Sequence, residues 1–302
     1  MNDPPGASEK HRDRGRTADR AAIRRRRVRT GLRLAVLTVI GLGFLLPLIW
    51  AVCASLKPLD QVYVFPPQFL PNPPQWDNYR QVLDPRVARL PFLRFILNTT
   101  VITVSAVVGT VLTGSMAGYA LARLSWRTRG FWFIVLLATM MLPGQVLLIP
   151  HFLIYKNLGW VNTYKPLIVP SWLGGGAFFV FLFRQFFKTI PRDLEEAALI
   201  DGAGRWQIYW RLMLPLAKPA VATVAALSFV AHWQEFMGPL IYLSDLERYP
   251  VSLGLRMFQN IGGSWTNLLM AASLVSLLPV AILFLFAQRY FVRGLLLTGT
   301  KG

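Results

Sequence analysis

Long stretches of this chain carry no charged residue, and their lengths match helices that cross a lipid bilayer. Residues 34–56, 95–122, 130–155, 166–183 and 257–288 contain no Asp, Glu, Lys or Arg, and 219–244 is interrupted only by Glu235. A hydrocarbon core about 30 Å thick needs about 20 apolar residues of helix. Six spans therefore fit, at about 34–56, 96–122, 131–155, 166–186, 219–243 and 266–288. Lipid offers no partner to an exposed backbone amide, so spans of this kind must be helical. The expected fold is an all-α polytopic membrane protein. A composition that is 54% hydrophobic and only 15% charged is too apolar for an ordinary soluble domain.

The positive charge orients the bundle. Most of the 32 lysines and arginines fall in 1–33, 123–129, 184–218 and 289–301. Cytoplasmic segments carry the basic excess, so both termini are expected inside. Residues 1–33 are polar and contain Arg24-Arg25-Arg26-Arg27, which reads as a basic, disordered cytoplasmic tail. The net charge of +18 could suggest nucleic acid, but no nucleic-acid module accompanies it. Membrane lipid is the expected partner of juxtamembrane arginines. The first apolar run is longer than the core of a secretory signal, which favours a retained anchor over cleavage near Val52–Ala54. Residues 57–94 hold eight prolines and read as an extracytoplasmic loop with a short helix near Asn78–Leu83.

Catalytic chemistry has no foothold. The lone Cys53 excludes an internal disulfide, and His11, His151 and His232 are too scattered for a shared metal site. Neither G-x-x-x-x-G-K-[ST] nor G-x-S-x-G occurs, so the chain is expected to be no enzyme and to bind no cofactor. Instead, the spans carry features of a pathway. Gly109, Gly114, Ser115, Ala117, Gly118 and Ala120 permit close helix packing in the second span. Pro143 should kink the third, as packing relief or as a hinge, and Gly174-Gly175-Gly176 makes a flexible or closely packed place in the fourth. In the fifth, Trp233, Gln234, Glu235 and Phe236 are candidates for a gate or path. An intramembrane carboxylate is a functional candidate by default. Glu235 falls near the outer boundary, however, so an interfacial structural role is equally open. A proton relay would need His232 as its second group.

The remaining charged insert, residues 189–218, lies between spans four and five. Pro191 suits a first helical position, and Asp193, Glu195 and Glu196 suit the opening turns. Gly202 and Gly204 mark a bend. Trp206, Tyr209, Trp210 and Met213 recur at the spacing of one apolar stripe on a second helix, which Pro215 and Pro219 end. Ala197 and Ala198 permit close approach of another surface, while Glu195, Glu196 and Asp201 offer charge to a basic partner. A helix lying on the inner leaflet is the alternative, but anionic headgroups would repel its acidic half.

Glu196-Ala197-Ala198, then Gly202, then Leu212-Met213-Leu214-Pro215 resembles the "EAA" loop of bacterial ABC importer permeases. Shorter stretches are similar to the carbohydrate-uptake branch: Ala117–Arg123, Met141–Gln145, Asn162-Thr163-Tyr164, Arg184–Phe187 and Gln288–Gly294. The fifth-span motif departs from that branch, with Gln234 for Asn and Met237-Gly238 for a bulkier pair. The resemblance implies a permease in the bacterial plasma (inner) membrane. It implies a second permease, two ATP-binding subunits that hold ATP and Mg, and an extracytoplasmic sugar-binding protein. It assigns ATPase coupling to Asp193, Glu195, Glu196, Ala197, Ala198, Asp201, Gly202, Ala203, Leu214 and Pro215, and places the tail ending Thr300-Lys301-Gly302 near the ATPase. Other classes remain to be separated from it: an ion-coupled secondary transporter, a permease for glycerol phosphate, or a membrane receptor without flux.

Overall fold

The computed structural model describes residues 7–88, 90–260 and 265–298, and Thr300-Lys301-Gly302 lies outside them. The described residues form helices and connecting turns, with no strand. The main helices are α1 (Ala7–Ser55), α2 (Asp77–Leu83), α3 (Phe92–Arg123), α4 (Arg129–Met141), α5 (Leu148–Asn157), α6 (Ala177–Thr189), α7 (Asp193–Ile200), α8 (Lys218–Trp233), α9 (Met237–Tyr242), α10 (Val251–Asn260) and α11 (Thr266–Thr298). Four helical stretches are long and apolar enough to cross a membrane unaided: Arg29–Ser55, Phe92–Arg123, Lys165–Thr189 and Thr266–Phe286. Two bent pairs could add one span each, giving up to six.

Three elements depart from the sequence expectation. The first helix begins at Ala7, so the tail expected to be disordered continues as helix into the first apolar run. No proline lies between Ala7 and Pro47, and Ala, Arg and Leu are all strong helix formers. The third apolar run is broken rather than kinked: α4 and the helical stretch Gly144–Asn157 meet at 94°. Leu142 is extended at φ −80°, ψ 122°, the region a residue before proline prefers. The fifth run stops at Trp233 and resumes as α9, leaving Gln234, Glu235 and Phe236 outside both helices.

α3 is the post of the bundle, packing along α6 and α8. The small residues in its sequence allow this approach. A Cβ on Gly118 would lie 2.5 Å from Phe183 Cβ and 3.0 Å from the Arg184 amide, so only glycine lets α6 lie this close. Two apolar cores sit at opposite ends of α3. One gathers Phe92, Phe95, Trp233, Val251, Phe258 and Ala271. The other gathers Tyr119, Ala122, Phe183, Phe187, Tyr209 and Met213. From Phe95 to Ala122 the helix rises about 40 Å.

At the first end, buried and half-buried side chains tie loops to helices. Asn78, on α2, donates from Nδ2 to the carbonyls of Ser55 (2.8 Å) and Lys57 (2.9 Å). Asn98 donates to the carbonyls of Glu247 (2.8 Å) and Tyr249 (2.9 Å). Asn162 accepts at Oδ1 from the amides of Ser244 (3.2 Å) and Asp245 (3.1 Å). By contrast, the apolar window of α1 has no residue buried within the chain.

Candidate functional site

The acidic insert folds as two helical pieces around a bend, and its local sequence explains the geometry. α7 opens with Asp193, Glu195 and Glu196 in its first turn. Pro191 stands two residues ahead of the helix, not at its first position, because Arg192 occupies the cap. The helix ends in a Schellman motif: Gly202 donates to the Leu199 carbonyl (3.0 Å) and Ala203 to the Ala198 carbonyl (2.9 Å). Gly202 takes φ +80°, a conformation that costs any residue with a Cβ. Ala198 and Ala203 pack together against the second core. The spacing from the alanines to Gly202 is thus the spacing of a helix stop with its apolar clasp.

α7 has two chemically different faces. Glu195 and Ala198, three apart, point inward; Glu195 is buried, with 6% of its surface exposed. Asp193, Glu196, Ala197 and Ile200 follow the i, i+3, i+4, i+7 rule and are exposed, Ile200 at 86%. Glu195 therefore does not offer its charge to a partner, as the sequence suggested. Its Oε2 lies 3.7 Å from Arg123 of α3. Arg123 also donates to the Phe187 carbonyl from Nε (3.0 Å) and to the Ile190 carbonyl. Asp201 and Gly202 are exposed at the bend.

The second helical piece corrects the expected stripe. Tyr209 and Met213 are buried, but Trp206 and Trp210 are exposed. Ile208–Met213 is a π-helix, whose wider turn changes which residues share a face. Its inward side consists of Ile208, Tyr209, Met213 and then Ala217. Trp206 and Trp210 instead cover Tyr209 from outside, with ring centroids 5.8 and 5.1 Å from it. The Tyr209 hydroxyl meets Ser115 Oγ of α3 at 2.8 Å. Leu214 is half-buried and Pro215 exposed; the stretch Arg205–Leu216 then meets α8 at 75°.

The five expected gate residues are not one cluster. Pro143 is exposed at the α4 break. Trp233 belongs to the first core, stacked on Phe229 at 5.3 Å and donating from Nε1 to the Ser276 carbonyl (3.1 Å). Gln234 is exposed beside it. Glu235 is exposed and accepts at Oε1 from the Gly238 amide (2.9 Å), capping the start of α9. The His232 ring faces Ser228 and Ser171 (Nε2 to Oγ, 3.1 Å), so its nitrogens are engaged away from a relay with Glu235. Phe236 alone of the five lines an open cleft of about 410 Å³, with Ser252, Arg256 and Met270. Arg256 lies over the Phe236 ring at 5.8 Å. Among the described residues, no group of three or more His, Cys, Asp or Glu could hold a metal.

The Arg123–Glu195 pair is the feature that sequence reasoning missed. Arg123 counted there as a charge setting topology and as the end of the Ala117–Arg123 resemblance, and nothing in the order of residues links it to a glutamate 72 positions later.

Residues 110–296 match the family described as binding-protein-dependent transport system inner membrane component. A similar protein is the arabinooligosaccharides transport system permease protein AraQ of Halalkalibacterium halodurans, 37% identical over 68% of this chain and 73% of that one. Another is the sn-glycerol-3-phosphate transport system permease protein UgpE of Yersinia pestis, 33% identical over 86% and 94%. Among solved structures, a bacterial ABC transporter involved in the import of the acidic polysaccharide alginate contains a chain matching 88% of this one. That match covers 97% of its length, at a TM-score of 0.76 and 26% identity. The MetNI methionine ABC transporter shares the fold at a TM-score of 0.51 and 19% identity, over 67% and 95% of the two chains.

Proposed function

Because this chain belongs to the family of binding-protein-dependent transport inner-membrane components, we propose that its bent acidic loop receives the stroke of a separate ATPase in a sugar importer. The chain is a multi-pass inner-membrane permease subunit, not an enzyme. A second permease completes the translocation pathway, two cytoplasmic ATP-binding subunits hold ATP and Mg, and an extracytoplasmic receptor delivers the sugar. Both termini and residues 189–218 face the cytoplasm, and the two bent pairs each account for one of six spans. The loop 57–94 and the core around Phe95 face outward.

The observation that carries this reading is the division of α7. Its inner face is paired with α3 through Glu195 and packs on the second core through Ala198, while Asp193, Glu196, Ala197 and Ile200 stand uncovered. An uncovered acidic and apolar face on a rigid support fits a basic, partly apolar cleft on a soluble partner. Leu214 and Pro215 shape the bend that leads this element into α8. Sugar as cargo follows the arabinooligosaccharide relative and the alginate importer. Glycerol phosphate is the second reading, favoured by the fuller coverage of the UgpE relative.

The test is recovery of an ATP-binding subunit with the tagged permease. We expect wild type to retain it and Glu196→Arg to lower recovery about tenfold, as a charge mismatch of about 1.4 kcal/mol would. Equal recovery would contradict the assignment. Receptor-dependent uptake of labelled arabinotriose and of labelled sn-glycerol 3-phosphate into vesicles then decides between the cargoes.

A further inference from the structure

Among the described ion pairs, one is sealed from solvent. Arg94–Glu247 and Arg248–Asp245 have side chains that are 41% or more exposed, whereas Arg123 and Glu195 are 3% and 8% exposed. Exposed pairs contribute little to holding two elements together. A sealed pair behaves differently: removing or separating either partner strands a charge away from water, which opposes their parting.

Arg123 has a second task that fixes where it lies. α6 ends at Thr189 and leaves its last carbonyls without partners inside the helix. Arg123 satisfies two carbonyls at this end, Phe187 through Nε and Nη2 (3.0 and 2.5 Å) and Ile190 through Nη2. Its remaining nitrogen, Nη1, faces Glu195. The flat, forked guanidinium can serve both directions at once; an ammonium cannot. Tyr119, one turn earlier on α3, packs on Phe187 and Tyr209 (ring centroids 5.7 and 5.3 Å) beside the pair. One side chain of α3 thus holds the end of α6 and the inner face of α7.

We propose that Arg123, with Glu195 as its counter-charge, is the positioning residue that makes α7 move as one body with α3 and α6. Resting on the proposed function, this assigns the two neighbouring glutamates of α7 opposite duties. Glu196 faces the ATPase, and Glu195 passes the displacement inward. Without the guanidinium, α7 would remain attached through Ala198, Ala203, the turn 190–192 and its packing on the π-helical segment, with no polar tie to α3, and could shift relative to the spans.

The test uses the full complex of both permeases and the ATP-binding subunits, on a Cys53→Ser background. Spin labels at Ile200→Cys, on the exposed end of α7, and Met116→Cys, on α3, are both at exposed positions. Their separation is measured with and without MgATP and vanadate. We expect one narrow distance in wild type, the same in both states. Arg123→Met and Glu195→Gln should broaden it and shift it on trapping by about 2 Å, the scale of helix displacements at interfaces. Arg123→Lys should recover part of the narrow distribution. A purely structural role would lower thermal stability and leave the trapping response absent. The proposal is overturned by a wild-type distance that changes on trapping, by variants that keep the wild-type response, or by failure of both variants to assemble. A wild-type chain that captures no ATP-binding subunit would instead remove the proposed function, and this inference with it.

Discussion

Gly202 takes φ +80° at the end of α7, where its amide and that of Ala203 close the helix. Gly202→Ala forces a Cβ into the left-handed region, at about 1–2 kcal/mol. Faster hydrogen exchange at the amides of Gly202 and Ala203 should report it, while Gly202→Asn, better tolerated there, should exchange close to wild type. Trp233 belongs to the core despite its place in the motif first read as a gate. Trp233→Phe keeps most of the ring but removes the indole donor to the Ser276 carbonyl. We expect a loss of about 1 kcal/mol, read as a lower melting temperature in detergent. Unchanged stability would return Trp233 to the candidates for the path.

At the scale of elements, the attachment of the π-helical segment to α3 is testable as a pair. Ser115 Oγ and the Tyr209 hydroxyl are 2.8 Å apart and buried. A double-mutant cycle with Ser115→Ala and Tyr209→Phe should show a coupling of about 1 kcal/mol. Additive effects would mean that the segment is held by packing alone. Elements of this molecule differ in how far their sequences disclose them. The apolar runs disclosed the spanning helices because a bilayer admits so few backbone solutions. The acidic opening of α7 and the bend at Gly202 were legible because caps and glycine act locally. The face of Trp206–Met213 was misread because a π-turn changes the period on which the stripe was counted. The break after Trp233 was missed although Gly238-Pro239 marks it, since Pro239 has no amide for the carbonyl four residues back, and Glu235 was weighed as a charge before its capping of α9 was visible. Arg123–Glu195 could not be seen at all, since it depends on α3 and α7 meeting in space.

For the whole molecule, α3 joins two cores about 40 Å apart: one holds the loops at Asn78, Asn98 and Asn162, and the other holds the acidic loop. A displacement at one end can therefore reach the other through a single packed helix. On the proposed function, the acidic loop is where the stroke enters, and the fuel is spent on separate ATP-binding subunits. The most direct measurement is solute accumulation in vesicles containing the purified chain, alone or assembled with its partner permease, ATP-binding subunits and receptor. We expect labelled arabinotriose or sn-glycerol 3-phosphate to accumulate only in the assembled vesicles, and only with MgATP. Accumulation against a gradient by the lone chain would contradict it.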